Sequence, residues 1–418
     1  MLDINFVRDN AAQVKKAAQD KGLDPQMVDT ALALDKTRRE LLVKIESLRA
    51  KRNQFTQKDI AQGKKVKTEL KKLEPELKTT ETKLNQALLW LPGVVSADTP
   101  IGPDAKANKL IRAWGEPTQF KFKPKSHIEL GESLNLLDLE RGAKVAGFRG
   151  YFLKNEAVML HLGLMHYAME VLVKRGFTPM VPPVVVKAPA LVNTGHFPWG
   201  KLDIYKTFDD EKETDVRYLA GTAEVPLVSY HSGEILNEKD LPKLYAGFSP
   251  CFRREIGTYG KDAKGLYRIH EFLKIEQVVL CKNDLAESLD WLEKLAANAE
   301  AILQGLKLPY RIMQLSTGEM GQPQYKKYDI ETWMPSRNGY GETMSDSVML
   351  EFQSRRAKIR YRTKNGELKY VHMLNNTALA SPRILIAIFE NYQKADGSIA
   401  IPEALQKYVG KKVIKKYV

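Results

Sequence analysis

The sequence predicts an α+β protein: an N-terminal antiparallel helical hairpin (a coiled-coil arm), then a larger domain with a mostly antiparallel β-sheet flanked by helices. Three observations carry this prediction. Apolar residues at heptad spacing occupy the first quarter of the chain. Extended β-branched runs and hairpin signals dominate the remainder. The 418 residues also exceed one ordinary core, since domains average ~150 residues.

Leu34, Leu41, Ile45, Leu48 and Phe55 follow steps of seven, four, three and seven, which keeps one apolar seam on a helix. Val66, Leu70, Leu73, Leu77, Leu84, Ala87 and Leu91 repeat the pattern, with Thr80 on the same stripe. The polar stretch Ala61-Gln-Gly-Lys-Lys between them is expected to turn the chain, so that the two helices fold back on each other. Pro75 lacks an N–H and is expected to kink the second helix. Leu91-Pro-Gly-Val-Val-Ser-Ala-Asp-Thr-Pro-Ile-Gly-Pro ends it with turn chemistry. The domains are accordingly placed at 1–105 and 106–418.

In the larger domain a helix is expected from about Ala157 to Arg175. Gly176-Phe-Thr-Pro-Met-Val-Pro-Pro-Val-Val-Val then reads as a turn and an extended run. Lys358 to Thr363 and Leu368 to Met373 flank Asn365-Gly and read as antiparallel strands. Ile384 to Tyr392 has the length and spacing of a buried helix. The order of strands and helices gives the α+β assignment.

Composition narrows the function. A chain 43% hydrophobic and 28% charged, with 27 Gly and 20 Pro, is folded rather than collagen-like or disordered. The net charge of +14 favours a polyanionic partner. From Asp35 to Trp90, fifteen Lys or Arg oppose eight Asp or Glu, an excess of seven, half the chain's surplus. Two readings fit: charged outer positions that keep a coiled coil soluble, or an arm lying along a nucleic-acid backbone. Cys251 and Cys281 alone supply neither a disulfide framework nor a Cys-rich zinc site. The N-terminus has no signal-peptide stretch, and aliphatic runs such as Ile384 to Phe389 fall short of the ~20 residues that span a bilayer. A cytoplasmic protein without a membrane partner is expected.

Familiar nucleotide motifs are missing. The sequence has no Gly-x-x-x-x-Gly-Lys-Ser/Thr, and Gly339-Tyr-Gly-Glu-Thr-Met lacks the third glycine of a dinucleotide fingerprint. The seven histidines show no metal-ligand spacing. Nucleotide chemistry here must rest on arginine, carboxylates and Mg²⁺. Three segments could supply it. Phe252 to Gln277 encloses a glycine-rich basic loop between strand-like ends. As a surface hairpin its charges would be solvated, yet Arg253, Arg254, Arg268, Glu255 and Glu276 interrupt apolar alternation, where unpaired charge is costly. Gly221-Thr-Ala-Glu places a hydroxyl and a carboxylate at a turn, where a helix cap is an equal reading. Met373 to Gln393 carries Arg383 at the head of an apolar helix, where it could snorkel, pair or bind.

Taken together these segments resemble seryl-tRNA synthetases, a class II aminoacyl-tRNA synthetase family, along essentially the whole chain. The arm is matched by Leu34-Asp-Lys-Thr-Arg-Arg-Glu-Leu and Ser47-Leu-Arg-Ala-Lys-Arg-Asn. The entry to the catalytic domain is matched by Trp114-Gly-Glu-Pro, His127-Ile-Glu-Leu-Gly-Glu, Leu136-Leu-Asp-Leu-Glu-Arg and Tyr151-Phe-Leu-Lys. Gly176 to Val186 resembles motif 1, Phe252 to Glu276 motif 2, Ala378 to Glu390 motif 3, and Thr222-Ala-Glu the serine signature.

The resemblance implies a class II catalytic domain (106–418), a tRNA-binding arm domain (1–105) and a homodimer. It also implies activation of L-serine by ATP with Mg²⁺, then transfer to tRNA-Ser and, where present, tRNA-Sec. Carried over residue by residue, Arg253, Arg268 and Arg383 are the catalytic arginines. Thr222, Ala223, Glu224, Arg253, Glu276, Asn375 and Thr377 hold serine. ATP falls to Arg253, Arg254, Glu255, Arg268, Ile269, Phe272, Glu342, Thr343, Met344, Ser345 and Arg383, and Mg²⁺ to Glu342 and Ser345. The chain departs from the family pattern at Val348, Asn376, Thr377, Ala378 and Ser381-Pro382, which bears on the serine pocket and the setting of Arg383. Two other readings stand beside this one: an amino acid:carrier-protein ligase on the same core, which lacks the long arm, and a catalytically silent RNA-binding paralogue.

Overall fold

Heptad leucines shape the first unit. The computed structural model describes residues 1–55, 59–207, 216–256 and 265–416. Lys58, counted above among the arm's cations, and the loop residues 257–264 lie outside these. Two short helices, α1 (Ile4–Asp9) and α2 (Ala11–Asp20), precede the long α3 (Gln26–Gln54) and α4 (Ile60–Leu89). Near the base, Val28 and Ala31 of α3 pack with Leu84 and Leu88 of α4 and with Val7 and Val14. Further out, Ile45 packs against Val66 and Leu70. These pairings make the hairpin antiparallel, and an Arg49–Glu74 ion pair at 2.8 Å crosses it.

One expectation for the arm is corrected. Ala61 to Lys65 is helix, not turn: Val66 and Leu70 are bought into the seam early enough to hold a helix through Gly63, whose cost is about 1 kcal/mol. Helix α3 ends at Gln54 and α4 begins at Ile60. Pro75 lies inside helix α4. Pro75 is on the exposed outer face, so the carbonyl it leaves without a partner is open to water. One acid of the arm, Asp35, lies inside. It is fully buried and accepts from Arg8, Arg38 and Arg39 at 2.9–3.1 Å. Burial opposes its ionisation, but the three arginines outweigh burial and hold its carboxyl below the usual range.

The compact units are Met1–Val94 and Val95–Val418. Residues 95–105, placed with the arm from sequence, are held by the larger unit. Ser96 N–H donates to the Tyr325 carbonyl at 2.9 Å, and Lys326 donates to Asp98 at 2.6 Å. Proline and glycine mark a linker, but nothing in such a segment encodes where it docks.

The larger unit is built on eight strands: β1 (Lys109–Trp114), β2 (Thr178–Met180), β3 (Lys243–Phe252), β4 (Glu271–Cys281), β5 (Tyr310–Gln314), β6 (Lys326–Met334), β7 (Gly339–Leu350) and β8 (His372–Ser381). Their order is β1-β5-β6-β7-β8-β4-β3-β2. Every pairing is antiparallel except the edge pair β2·β3. Helices α5 (Glu156–Lys174), α7 (Leu285–Gly305) and α8 (Arg383–Asn391) pack on the sheet through Leu160, Leu164, Leu292, Leu295, Leu385 and Phe389. Between them in sequence, the short α6 (Glu224–Ser229) packs through Leu227 and Val228 into a second core. The strands expected around Asn365-Gly form a separate small sheet, Arg360–Arg362 against Leu368–Tyr370, while His372 begins β8. Among the described residues α5 alone is long and apolar enough to span a bilayer, and its apolar face lies in this core.

Candidate active site

Two register irregularities decide which side chains share the sheet's open face. In β7 against β6, Glu342 lies opposite Glu331 and Met344 opposite Ile330, leaving Thr343 as an extra residue. In a regular strand residues three apart face opposite ways, but one bulged residue restores parity. Glu342 and Ser345 therefore share a face, while Met344 and Asp346 turn into the core. In β8 against β4, Ala378 is the extra residue, with Thr377 opposite Glu276 and Leu379 opposite Ile275. Lys274, Glu276, Asn375 and Thr377 consequently face one way and Gln277 and Asn376 the other.

Between these strands, α8 and the segment from Leu266 to Phe272 opens a cavity of about 560 Å³. Ten of the residues expected from sequence line it: Arg253, Glu255, Ile269, Phe272, Glu342, Thr343, Met344, Ser345, Thr377 and Arg383. Arg253 follows the end of β3. Its guanidinium lies over Phe272, 5.2 Å from the ring centroid, and its Nε donates to the Gly221 carbonyl at 3.3 Å. Arg383 opens α8 and is fixed from three sides: Nε donates to Tyr267 O (3.0 Å), and Nη1 donates to Glu342 O (2.9 Å) and Oε2 (3.2 Å). Burial opposes ionisation of Glu342, yet Arg383, Lys327 and Arg253 outweigh it and lower its pKa. Arg268 does not line the cavity itself. It donates to Glu255 Oε2 at 2.9 Å, and Glu255 adopts a left-handed φ of 52°.

Beside the cavity lies a buried polar cluster. Thr222 Oγ1 accepts from the Glu224 amide (3.1 Å) and from Lys274 Nζ (2.6 Å). Lys274 also pairs with Glu276 at 2.5 Å, and Thr377 donates to the same Glu276 oxygen at 3.2 Å. Glu224 accepts from Asn375 (2.9 Å) and Gln353 (2.7 Å). Thr222, Glu224, Lys274 and Glu276 are all buried, and burial raises the pKa of both carboxyls against the pull of Lys274. Ala223 is packed close to β3: a Cβ on Gly247 would sit 2.9 Å from the Ala223 Cβ and 2.7 Å from Leu227, so glycine is what lets this turn approach the strand. Thr222 thus both caps the start of α6 and joins the cluster, so the two readings of Gly221-Thr-Ala-Glu coexist.

Arg254 does not reach the cavity. Its side chain is exposed and donates to the Leu202 carbonyl at 3.1 Å, because consecutive residues leaving a strand diverge. The departures also sort by face. Asn376 accepts from Gln277 at 2.6 Å behind the sheet, and Val348 and Ala378 are in the core. Neither Val348 nor Asn376 touches the cavity. Ser381 does line it, and its hydroxyl is 2.7 Å from His161 Nδ1 of α5. Burial pushes that imidazole down to about 4, so it is neutral. Lys274 and Gln353 escaped the sequence reading. Lys274 carried a signal, a cation between Leu273 and Ile275 and two residues from Glu276; Gln353 carried none.

The arrangement brings cations, acceptors and an aromatic face around one cavity, with a buried acid-and-hydroxyl cluster at its side. Comparison with known proteins agrees along the chain. Residues 1–95 match the seryl-tRNA synthetase N-terminal domain, and 205–392 the tRNA synthetase class II core domain (G, H, P, S and T). A serine--tRNA ligase of Deinococcus radiodurans is 42% identical over 421 aligned residues, covering 98% of each chain. Another from Symbiobacterium thermophilum is also 42% identical, with 98% of each covered. The crystal structure of a Pyrococcus horikoshii seryl-tRNA synthetase complexed with ATP superposes with a TM-score of 0.95 at 38% identity, covering all of both chains. A cytoplasmic Naegleria fowleri serine-tRNA ligase with AMP gives 0.91 at 30%, covering 100% of this chain and 99% of that one. A likeness that runs unbroken through arm, sheet and cavity places this chain in the seryl-tRNA synthetase family.

Proposed function

We propose that the chain is a serine--tRNA ligase. A serine carboxylate oxygen attacks the α-phosphorus of ATP, the bond to the β-phosphate's bridging oxygen breaks, and pyrophosphate leaves. A hydroxyl of the 3′-terminal adenosine of tRNA-Ser then attacks the seryl carbonyl, forming the ester and releasing AMP. The support is the convergence of Arg253 and Arg383 on a cavity that also holds Phe272 and borders Thr222, Glu224, Glu276 and Thr377. Negative charge grows on the α-phosphate oxygens during attack, and pre-placed guanidinium groups stabilise it without reorganisation. Phe272 offers a face to a purine. Arg268 and Arg383 bind the outer phosphates, exchanging Glu255 and Glu342 for them.

Glu342 and Ser345 suit Mg²⁺: both are hard oxygen donors on one strand face, and the glutamate is held ionised. When bound, the ion supplies charge neutralisation on the phosphates. The buried carboxylates receive the ammonium and hydroxyl of serine. Alanine would leave those groups unpaired, which costs about 1–3 kcal/mol per group.

Residues 1–94 serve as the tRNA-binding domain and 95–418 as the catalytic one. Lys64, Lys65 and Lys72 edge a shallow groove on α4 that suits a phosphate backbone. A homodimer is supported by an apolar hollow of Leu162, Met165, Met169, Met180, Val181 and Phe248, with Val181 81% exposed. By resemblance tRNA-Sec is a second substrate, and the cytoplasm is where these substrates meet the enzyme.

Amino-acid-resolved ATP–pyrophosphate exchange tests the reading. Exchange should require serine and Mg²⁺, and the product should charge tRNA-Ser but not a carrier protein. No serine-dependent exchange by pure protein would leave a silent paralogue, and carrier charging would leave the other ligase.

A further inference from the structure

Lys274 stands in the middle of β4 with 3% of its surface exposed, two residues from Glu276 and flanked by Leu273 and Ile275. Its ammonium has two partners, the Glu276 carboxylate at 2.5 Å and Thr222 Oγ1 at 2.6 Å. Thr222 Oγ1 also accepts the Glu224 amide at 3.1 Å. Both lone pairs of that hydroxyl are therefore taken, and its proton can only be donated. The same lysine faces a site with two buried carboxyls and must offset their repulsion before any substrate ammonium arrives.

We infer that Lys274 is the positioning residue of the serine pocket: it keeps Glu276 ionised to receive the substrate ammonium and fixes Thr222 as a hydrogen-bond donor to a substrate oxygen. This rests on the serine-activation reading above.

The groups whose fields reach the Lys274–Glu276 pair come from several elements. Glu224 lies at the head of α6, Cys251 on β3, Arg253 just beyond it, His196 before the Gly200 turn, and Asp346 behind the sheet on β7. Burial pushes His196 down to about 4, so its ring is neutral near pH 7, and pushes the Cys251 thiol and the Asp346 carboxyl up. Among the described residues Lys274 is the cation paired with Glu276, while Arg253 lines the cavity. Removing the lysine charge therefore raises the pKa of Glu276, and the carboxylate is lost from the acid side first.

The test is pyrophosphate exchange by the intact enzyme across pH. Wild-type exchange with serine establishes the underlying reading independently. Lys274→Met should then raise KM for serine about tenfold or more while KM for ATP stays within about twofold. The acid limb of kcat/KM for serine should move to higher pH, and Lys274→Arg should return it towards wild type. A lysine that merely supports the fold would weaken both substrates alike and leave the limb in place; that result would overturn the inference. Should Lys274→Met fail to fold, the cycle of Lys274→Gln, Glu276→Gln and the double variant decides. With the charge pair removed together, the double variant should bind serine no worse than Glu276→Gln alone. Additive losses would count against a role through Glu276.

Discussion

At Arg253 a single side chain separates chemistry from stability. Among the described residues its one side-chain hydrogen bond is the 3.3 Å contact with Gly221 O, so little of the fold depends on it. Arg253→Ala should lower serine-dependent exchange by about 10²–10³-fold or more, the scale of losing one pre-placed charge donor. Unfolding of the variant, followed by circular dichroism, should match the parent. Near-normal exchange would remove Arg253 from the mechanism. Residue identities were legible where charge interrupts an apolar pattern, as at Arg253, Glu276 and Arg383, whereas Glu342 was reached through the family resemblance. What the pattern could not supply is which way each points. Arg254, adjacent to Arg253, turns to the Leu202 carbonyl, while Val348 and Asn376, suspected of altering the pocket, face away from it. Gln353 is uncharged and remote in sequence, so its bond to Glu224 left no trace to read.

At the scale of elements, strand parity and helix punctuation set the limits. The helices at 156–174 and 383–391 appear within a residue of their predicted bounds, whereas the strand expected from Leu368 to Met373 divides at Val371 between two sheets. The bulges at Thr343 and Ala378 were invisible, because a bulge is a property of two strands and neither sequence alone contains it. In the arm, the apolar seam was readable but its turn was misplaced, since glycine and lysine near 63 mimic a loop while Val66 and Leu70 hold a helix. Pro75 tests this account. It is exposed within α4, and proline costs ~3 kcal/mol more than alanine in a helix interior, partly offset by the freer unfolded chain. Pro75→Ala should therefore stabilise the arm by about 1–2 kcal/mol. Slower native-state hydrogen exchange of amides near residue 75 would report it, and faster exchange would show that the proline is structurally required.

Across the whole molecule the division of labour should be separable. Helices α3 and α4 return to a common base, so residues 36–90 can be replaced by a short connection that leaves Asp35 and Leu91 in place. The shortened enzyme should keep serine-dependent exchange within about threefold, yet its kcat/KM for tRNA-Ser should fall by about 10²-fold or more as phosphate contacts vanish. Parent charging should weaken steeply with salt; loss of both activities together would argue against a tRNA-specific arm. The two-unit plan was legible from composition, although the linker's attachment at Ser96 and Asp98 was not, because docking depends on a surface assembled far downstream. One bond spans scales. The ring of His161 belongs to the helix that carries Leu162, and it grips the hydroxyl two residues ahead of Arg383. If the proposed dimer forms through that helix, a disturbance from outside would reach Arg383 through this contact, and assembly would be coupled to turnover.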